Sequence, residues 1–209
     1  MQSIRHKLRP IQFIALGYML TILIGTLFLI LPISSKDGKM TNFLDAMFIA
    51  TSATCVTGLS VFDTFAHWTF FGQLIILFLI QIGGLGLMTV ITLIFLIFRK
   101  NIGIYERTIL IQSAGTFSFH GIVHLIKRIL IGTFTFELIG ALVLSFRFIP
   151  QFGVGQGIWF SVFHSISAFC NAGFDLLGNS LIDYKNDPLV IITITSLVII
   201  GGLGFLVWS

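Results

Sequence analysis

The chain has 209 residues, of which 56% are hydrophobic and only 10% are charged. Soluble domains carry about 25% charged residues, so this composition excludes an ordinary soluble protein and indicates a membrane protein. The net charge of +4 does not indicate binding to nucleic acid, because the basic residues lie at the ends of apolar runs and form no stripe. The two cysteines, Cys55 and Cys170, form neither a metal-ligand pattern nor a disulfide framework.

Four apolar stretches are long enough to cross a bilayer core, which needs about 20 helical residues. They run over residues 11–31, 69–98, 121–149 and from 189 to the end of the chain. The first ends at Pro32 and the third at Pro150. The first stretch is also too long for a signal peptide and has no cleavage site after it, which predicts a retained helix.

A shorter apolar segment follows the first stretch and another follows the third, over residues 41–54 and 157–169. Neither can span the bilayer, so both are predicted to be re-entrant helices. Thr41 or Asn42 is expected to cap the first of them, with Asp45 in its first turn.

The placement of Lys and Arg predicts the orientation in the membrane. Eight of the twelve basic residues fall on one side of the predicted spans, so the N-terminus is predicted to be cytoplasmic. Six of the eight acids fall on the outer side: Asp37, Asp45, Asp63, Asp175, Asp183 and Asp187. Two interpretations are open, namely that these acids concentrate cations at the outer mouth or that they are solvated loop residues.

The chain contains an internal repeat. At an offset of 115 residues, five identities align Phe48–Leu59 with Phe163–Phe174, and an offset of 118 aligns the two Gly-Gly-Leu-Gly segments and the two span-ending prolines. Unlike features that recur in the same order predict two parallel repeats, related by an axis along the membrane normal. The predicted organisation is a first repeat over 1–98, a cytoplasmic connector over 99–120 and a second repeat over 121–209.

Each short helix leads into a loop that contains glycine. Irregular backbone is tolerated inside a membrane only where it is buried in protein or lines an aqueous cavity. A dehydrated cation needs oxygen ligands that replace its water, and backbone carbonyls can supply them. The loops are therefore predicted to form a selectivity filter, although a structural re-entrant loop without an ion is the alternative. The predicted filter residues are Thr54, Cys55, Val56, Thr57, Gly58, Cys170, Asn171, Ala172 and Gly173.

These motifs resemble the Trk/Ktr/HKT superfamily of cation transporters, and most closely its bacterial Ktr potassium-uptake branch. The resemblance rests on Ala50–Leu59, on His164–Phe174 and on the two Gly-Gly-Leu-Gly segments, and it covers the whole chain. It implies an all-α membrane fold in which four helix–pore-loop–helix repeats surround one pore with pseudo-fourfold symmetry. This chain would supply the first two repeats, which is half of the pore.

The resemblance also implies the transported ion. Gly58 and Gly173 match the first two filter glycines of the family, and a glycine rather than a serine at position 58 implies potassium. Potassium would bind the filter carbonyls of Val56, Thr57, Asn171 and Ala172. A sodium-preferring or sodium-coupled transporter of the same fold is the alternative. Cys170 departs from the polar residue that many relatives carry there.

Further expectations follow from the resemblance. The protein would be a multi-pass subunit of a bacterial plasma membrane, without a covalent cofactor. It would form a homodimer, and it would bind cytoplasmic nucleotide-binding regulatory subunits of the KtrA type. The repeat spacing places the end of the last helix beyond Ser209, so we expect a truncated form or a fragment. Two such chains could then pair to give a four-loop pore.

Several residues invite a second interpretation. Cys55 and Cys170 could form a disulfide across the pore, but small apolar packing is preferred. The Gly-Gly-Leu-Gly segments are expected to permit close helix packing rather than to bind phosphate. Glu137, the one acid inside a predicted span, could act in transport or pair with Arg128 or another helix. A membrane enzyme that uses Glu137, His120, His124 and His164 lacks a nucleophile–base set, so no enzyme activity is predicted.

Overall fold

The computed structural model describes residues 10–86 and 122–203. Within these two ranges the chain forms seven α-helices and two short 3₁₀ helices, and no β-strand. The α-helices are α1 Pro10–Ile30, α2 Phe43–Thr54, α3 Thr64–His67, α4 Phe70–Leu85, α5 Ile122–Phe152, α6 Val154–Phe169 and α7 Pro188–Gly202. The 3₁₀ helices are Pro32–Ser34 and Ile182–Tyr184. The expected all-helical architecture is confirmed for this part of the chain, and the predicted connector over 99–120 lies outside it.

Of the described helices, α5 contains a segment that is long and apolar enough to cross a membrane, Arg128–Phe152. Shorter apolar segments occupy most of α1 and the whole of α4 and α7. At 1.5 Å per residue, the 21 residues of α1 span about 31 Å, close to the thickness of a bilayer core. Residues 87–98, into which the second predicted span extends, lie outside the described ranges.

The ends of two helices differ from the prediction. The stretch 69–98 was expected to be one continuous helix, but α4 ends at Leu85, and Gly86 follows with φ 79°. A residue with such a φ cannot continue a right-handed helix, and glycine adopts this conformation at low cost. The amide of Gly86 donates to the carbonyl oxygen of Gly83 at 3.1 Å, which closes the last turn.

The expectation that the third helix stops before Pro150 is also wrong. Helix α5 includes Pro150 and ends at Phe152. Proline removes one helical N–H donor, but the turn closes beyond it, since the amide of Gly153 donates to the carbonyl oxygen of Ile149 at 2.9 Å. Gly153, at φ 82°, then redirects the chain, and α6 begins at Val154, three residues before the predicted start.

Short polar side chains begin several helices. Asn42 caps α2, with its side chain accepting from the amide of Leu44, which decides between the two predicted caps. Asp63, Thr69 and Asp187 cap α3, α4 and α7 in the same way. Each cap satisfies an amide that has no partner inside its helix.

Large apolar side chains are exposed in this fold, and several polar side chains are buried beside its apolar core. Large apolar side chains are exposed along α1 and α5, among them Met19, Leu27, Leu138 and Phe146. Polar side chains are buried, among them Thr26, Ser52, Gln73, Glu137 and His164. An apolar outer surface around a partly polar interior is what a lipid environment favours.

Each short helix packs between two long helices of its own half of the chain. Helix α2 contacts α1 and α4, while α6 contacts α5 and α7. The halves meet where α4 contacts α6. At this junction the indole Nε1 of Trp159 donates to Oε1 of Gln73 at 2.7 Å, and Nε2 of Gln73 donates to the carbonyl oxygen of Trp68 at 2.9 Å. The packing therefore holds the loops after α2 and α6 next to each other.

Candidate functional site

The loop after α2 is closed by two backbone hydrogen bonds. The amide of Val56 donates to the carbonyl oxygen of Ala53 at 3.3 Å, and the amide of Thr57 donates to that of Ser52 at 2.9 Å. Val56 has φ 57°, in the left-handed region. This pattern is the Schellman ending of a helix, which reverses the chain direction at the helix terminus.

The loop after α6 closes in the same way, 115 positions later. The amide of Asn171 donates to the carbonyl oxygen of Ala168 at 3.0 Å, and the amide of Ala172 donates to that of Ser167 at 2.8 Å. Asn171 has φ 59°. The two aligned sequence segments thus share their helix ending and their loop closure.

The left-handed residue of the first loop is strained. Asparagine tolerates the left-handed region, but a β-branched residue such as Val56 is a genuine outlier there. Such a conformation costs on the order of 1–3 kcal/mol and persists only where the surroundings impose it. Strain of this kind is concentrated at functional sites, which directs attention to this loop.

The two loop glycines lie against each other. Gly58 has φ 75° and Gly173 has φ 73°. A Cβ on Gly58 would lie 2.6 Å from the carbonyl oxygen of Ala172 and 3.2 Å from the Cα of Gly173. Glycine is therefore required at position 58 both by its backbone conformation and by the neighbouring loop.

A serine in each short helix braces the loop that follows. In the first half, Oγ1 of Thr57 donates to Oγ of Ser52 at 2.9 Å. In the second half, Oγ of Ser167 donates to the carbonyl oxygen of Phe174 at 2.6 Å. Ser52 and Ser167 are aligned by the repeat and both are buried, so equivalent side chains support the two loops.

The Gly-Gly-Leu-Gly segments pack against the ends of the short helices, as the close-packing interpretation predicted. A Cβ on Gly83 would overlap the carbonyl oxygen of Thr54, the last residue of α2. A Cβ on Gly201 would overlap the carbonyl oxygen of Phe169, the last residue of α6. The two glycines thus make equivalent contacts in the two halves of the chain.

The two cysteines have different surroundings. Both are free thiols. Cys170 is half-buried and lies directly against Gly84 of α4, which confirms its packing role. Cys55 is exposed on the surface of this chain, so the expectation of buried packing is wrong for it. The reason is that Cys55 is the C-cap of α2 and, within residues 10–86 and 122–203, no glycine of another helix lies against it in the way that Gly84 lies against Cys170.

Glu137 is buried, and its carboxylate Oε1 accepts a hydrogen bond from Nε2 of Gln81 at 2.9 Å. Sequence reasoning singled out Glu137 but missed Gln81. A lone amide within an apolar run was the available signal, because buried polar side chains in membrane helices find hydrogen-bond partners on other helices. The pair joins α4 of the first half to α5 of the second.

Both ring nitrogens of His164 contact backbone groups. Its Nδ1 lies 2.7 Å from the carbonyl oxygen of Phe160, and its Nε2 accepts from the amide of Leu176 at 3.3 Å. Both ring nitrogens are thus occupied by backbone groups, in the neutral tautomer with the proton on Nδ1. His120 lies outside the described residues. The buried imidazole holds the chain that follows the second loop.

Three of the six acids that are predicted to lie on the outer side stabilise local structure. Asp63 and Asp187 cap helices, and Asp187 also pairs with Arg147 at 2.6 Å. Oδ1 of Asp175 accepts from the amides of Leu177 and Gly178 at 2.9 and 3.0 Å. These contacts give the three side chains local roles in the fold, and both interpretations of the acids stay predictions.

A cavity of about 330 Å³ opens beside the second loop. It lies between α6, α7 and the chain that follows Gly173. Its lining residues are His164, Ser167, Ala168, Asn171, Gly173, Phe174, Asp175, Ser180, Leu181, Ile194 and Val198.

The exposed apolar side chains of the helices and the two glycine loops in contact define the class of helical membrane proteins. The chain matches the family described as TrkH, cation transport protein, over residues 11–209. It is a member of that family.

The curated relatives agree with this assignment. The chain is 46% identical over 207 residues to the potassium/sodium uptake protein NtpJ of Enterococcus hirae, an alignment that covers 99% of this chain and 46% of that protein. It is 46% identical over 201 residues to the Ktr system potassium uptake protein B of Bacillus subtilis, covering 96% of this chain and 45% of that protein. A third relative, Ktr system potassium uptake protein D of the same organism, is 39% identical. The chain therefore spans about half the length of the curated relatives it matches.

Proposed function

We propose that this chain is part of a potassium uptake protein whose two glycine loops offer backbone carbonyl oxygens to dehydrated potassium. The observation that carries the proposal is the contact between Gly58 and Gly173, each at the end of an identically closed loop. The names of the relatives, which include potassium uptake proteins, support the choice of ion.

The proposed ligands are the carbonyl oxygens of Val56, Thr57, Asn171 and Ala172. Two short helices end at these loops, so their negative dipole ends favour a cation there. Thr54 belongs to the same set but has a supporting role, because it is the last residue of α2 and its carbonyl oxygen lies against Gly83.

The proposed assembly rests on the internal repeat and on the resemblance to the family. Residues 1–98 and 121–209 are two of four helix–pore-loop–helix repeats, and the connector over 99–120 is cytoplasmic, as is the N-terminus. In a bacterial plasma membrane, two copies of the protein form a homodimer. This homodimer binds nucleotide-binding subunits of the KtrA type on its cytoplasmic side. Relatives named as parts of a Ktr system support this arrangement.

A sodium-preferring or sodium-coupled transporter of the same fold is the second candidate. One relative is named as a potassium/sodium uptake protein, which favours it. Gly58 favours potassium instead. Competition separates the two, because sodium at the same concentration as rubidium should leave rubidium uptake largely unchanged in a potassium transporter and suppress it in a sodium transporter.

Rubidium uptake by the full-length protein that contains this sequence, in a bacterial host deficient in potassium uptake, tests the proposal. Gly58→Ser and Gly173→Ser should each lower uptake by about tenfold or more, a cost of about 1.4 kcal/mol. Gly38→Ser is the matched control, because Gly38 also has a positive φ, 65°, but has nothing within 4 Å of an added Cβ. Uptake that both loop variants leave at the level of Gly38→Ser would overturn the assignment of the filter.

A further inference from the structure

Glu137 lies on α5, the longest of the described helices, and its side chain carries a carboxylate that is only 4% exposed. In the described part of the chain, no Lys or Arg forms an ion pair with it. A charged group at such a position is costly unless something compensates it, and intramembrane acids are accordingly rare and functional.

The carboxylate lies directly behind the second loop. Oε1 of Glu137 accepts from Nε2 of Gln81 at 2.9 Å and lies 4.0 Å from Sγ of Cys170. Sγ of Cys170 also lies 4.0 Å from Oε1 of Gln81. Cys170 is the C-cap of α6 and precedes Gly173 by three residues.

The backbone of Glu137 is held as well. Oγ of Ser165, on α6, donates to the carbonyl oxygen of Glu137 at 2.6 Å. A Cβ on Gly140, one turn later, would lie 2.5 Å from the same Oγ. Helices α5 and α6 are therefore in close contact here, and the carboxylate has little freedom to move away from the loop.

We propose that Glu137 is an electrostatic positioning residue for the cation in the second loop, which raises the affinity of that loop for a monovalent cation. The inference rests on the proposed function. A bound cation would supply the countercharge that the described residues do not provide. Because the side chain of Glu137 is almost completely buried, its attraction for a nearby cation is screened less than it would be in solvent. The carboxylate adds to the negative end of α6.

The rival explanation is that Glu137 only ties α4 to α5 through Gln81. Glu137→Gln separates the two, because glutamine keeps an acceptor oxygen for Gln81 but removes the charge. Glu137→Asp keeps the charge. Ser165→Ala is the control, since it loosens the same stretch of α5 without touching the carboxylate.

The experiment is rubidium uptake by the full-length protein over a range of rubidium concentrations. Glu137→Gln should raise the half-saturating concentration about threefold or more, while the maximal rate per inserted protein stays within about twofold, because the lost attraction acts on the bound cation. Glu137→Asp and Ser165→Ala should both keep the half-saturating concentration of the wild type.

Three results would overturn the inference. They are an unchanged half-saturating concentration in Glu137→Gln, an equal shift in Glu137→Asp, and an equal shift in Ser165→Ala. If Glu137→Gln does not insert into the membrane, Gln81→Lys decides, because its ammonium neutralises the carboxylate and should raise the half-saturating concentration in the same way. Wild-type protein that takes up no rubidium would instead contradict the proposed function.

Discussion

The backbones of Gly58 and Gly173 are in contact although 115 residues separate them in the chain. The contact is asymmetric. An added Cβ at Gly58 would lie 2.6 Å from the carbonyl oxygen of Ala172, whereas one at Gly173 would have, among the described residues, only the Cα of Gly58 within 4 Å, at 3.4 Å. The two glycines are equivalent in the repeat but not in the space around them.

This asymmetry predicts that Gly58→Ala is more harmful than Gly173→Ala. Both substitutions place a Cβ on a residue with positive φ, but only the first also drives it into backbone atoms that have no room to move. We expect Gly58→Ala to cost about 1–3 kcal/mol more, in line with overpacking. Thermal unfolding of the purified full-length protein in detergent measures the difference. Equal losses would show that the backbone conformation alone matters.

The glycines of the Gly-Gly-Leu-Gly segments should not tolerate a methyl group. Gly83→Ala and Gly201→Ala would press on the carbonyl oxygens at the ends of α2 and α6, so we expect a loss of about 1–3 kcal/mol in each. Gly132→Ala is the control within a helix, because an added Cβ there has nothing within 4 Å. Alanine should stabilise that position by about 0.5–1 kcal/mol through helix propensity. The same unfolding assay tests all three variants, and a loss in Gly132→Ala equal to the others would contradict the packing argument.

Asp187 both caps α7 and pairs with Arg147. Its side chain accepts from the amides of Leu189 and Val190, and the Arg147 guanidinium beside it is the largest cause that lowers the pKa of this carboxyl. Asparagine can still cap a helix, so Asp187→Asn should lower the melting temperature less than Asp187→Ala. Arg147→Met removes a partly exposed ion pair and the contact of the guanidinium with the Tyr184 ring, and it should have the smallest effect because surface ion pairs contribute little. An order in which Arg147→Met is the most harmful would assign the stability to the ion pair instead.

His67 should make the folded protein sensitive to acid. It lies in the segment between α2 and α4, stacked on Phe62 with ring centroids 4.1 Å apart. Burial lowers the pKa of His67 from 6.5, against the opposing effects of Asp37 and Asp45. The unfolded chain therefore binds the proton more tightly, so stability declines as the pH falls through 6.5 towards the lower folded pKa.

The test compares the melting temperatures of the wild type and His67→Gln at about pH 8 and about pH 5, on either side of the ordinary histidine pKa. The wild type should lose more stability on acidification than the variant. Carboxylates elsewhere contribute equally to both proteins, so they cancel in the comparison. Identical losses in the two proteins would exclude His67 as the source of the acid sensitivity.

Patterns local to the sequence predicted most of the helices. The start of α4 after Thr69, the cap at Asn42 and the two short helices each depend on hydropathy and hydrogen bonding within a few residues, which one segment of chain contains by itself. The repeat offset aligned residues 48–59 with 163–174, and the loops in these segments close in the same way.

Two helix ends were decided by conformations that the hydropathy pattern does not record. Gly86 lies within an apolar run, and only its backbone conformation shows that α4 ends there. Pro150 marks a helix end in sequence rules, but the hydrogen bond from the amide of Gly153 extends α5 past it. An apolar run indicates that a segment is buried or faces lipid, but it does not indicate where the backbone turns.

The amino-acid sequence by itself determined that this is a helical membrane protein with two glycine loops at equivalent positions. Only the tertiary structure decided that Gly58 touches Gly173, and that Gln81 meets Glu137 behind Cys170. The physical reason is the range of the forces involved. Hydropathy and backbone hydrogen bonds are set by neighbours along the chain, whereas these contacts join residues 33 to 115 positions apart and exist only once the helices have packed.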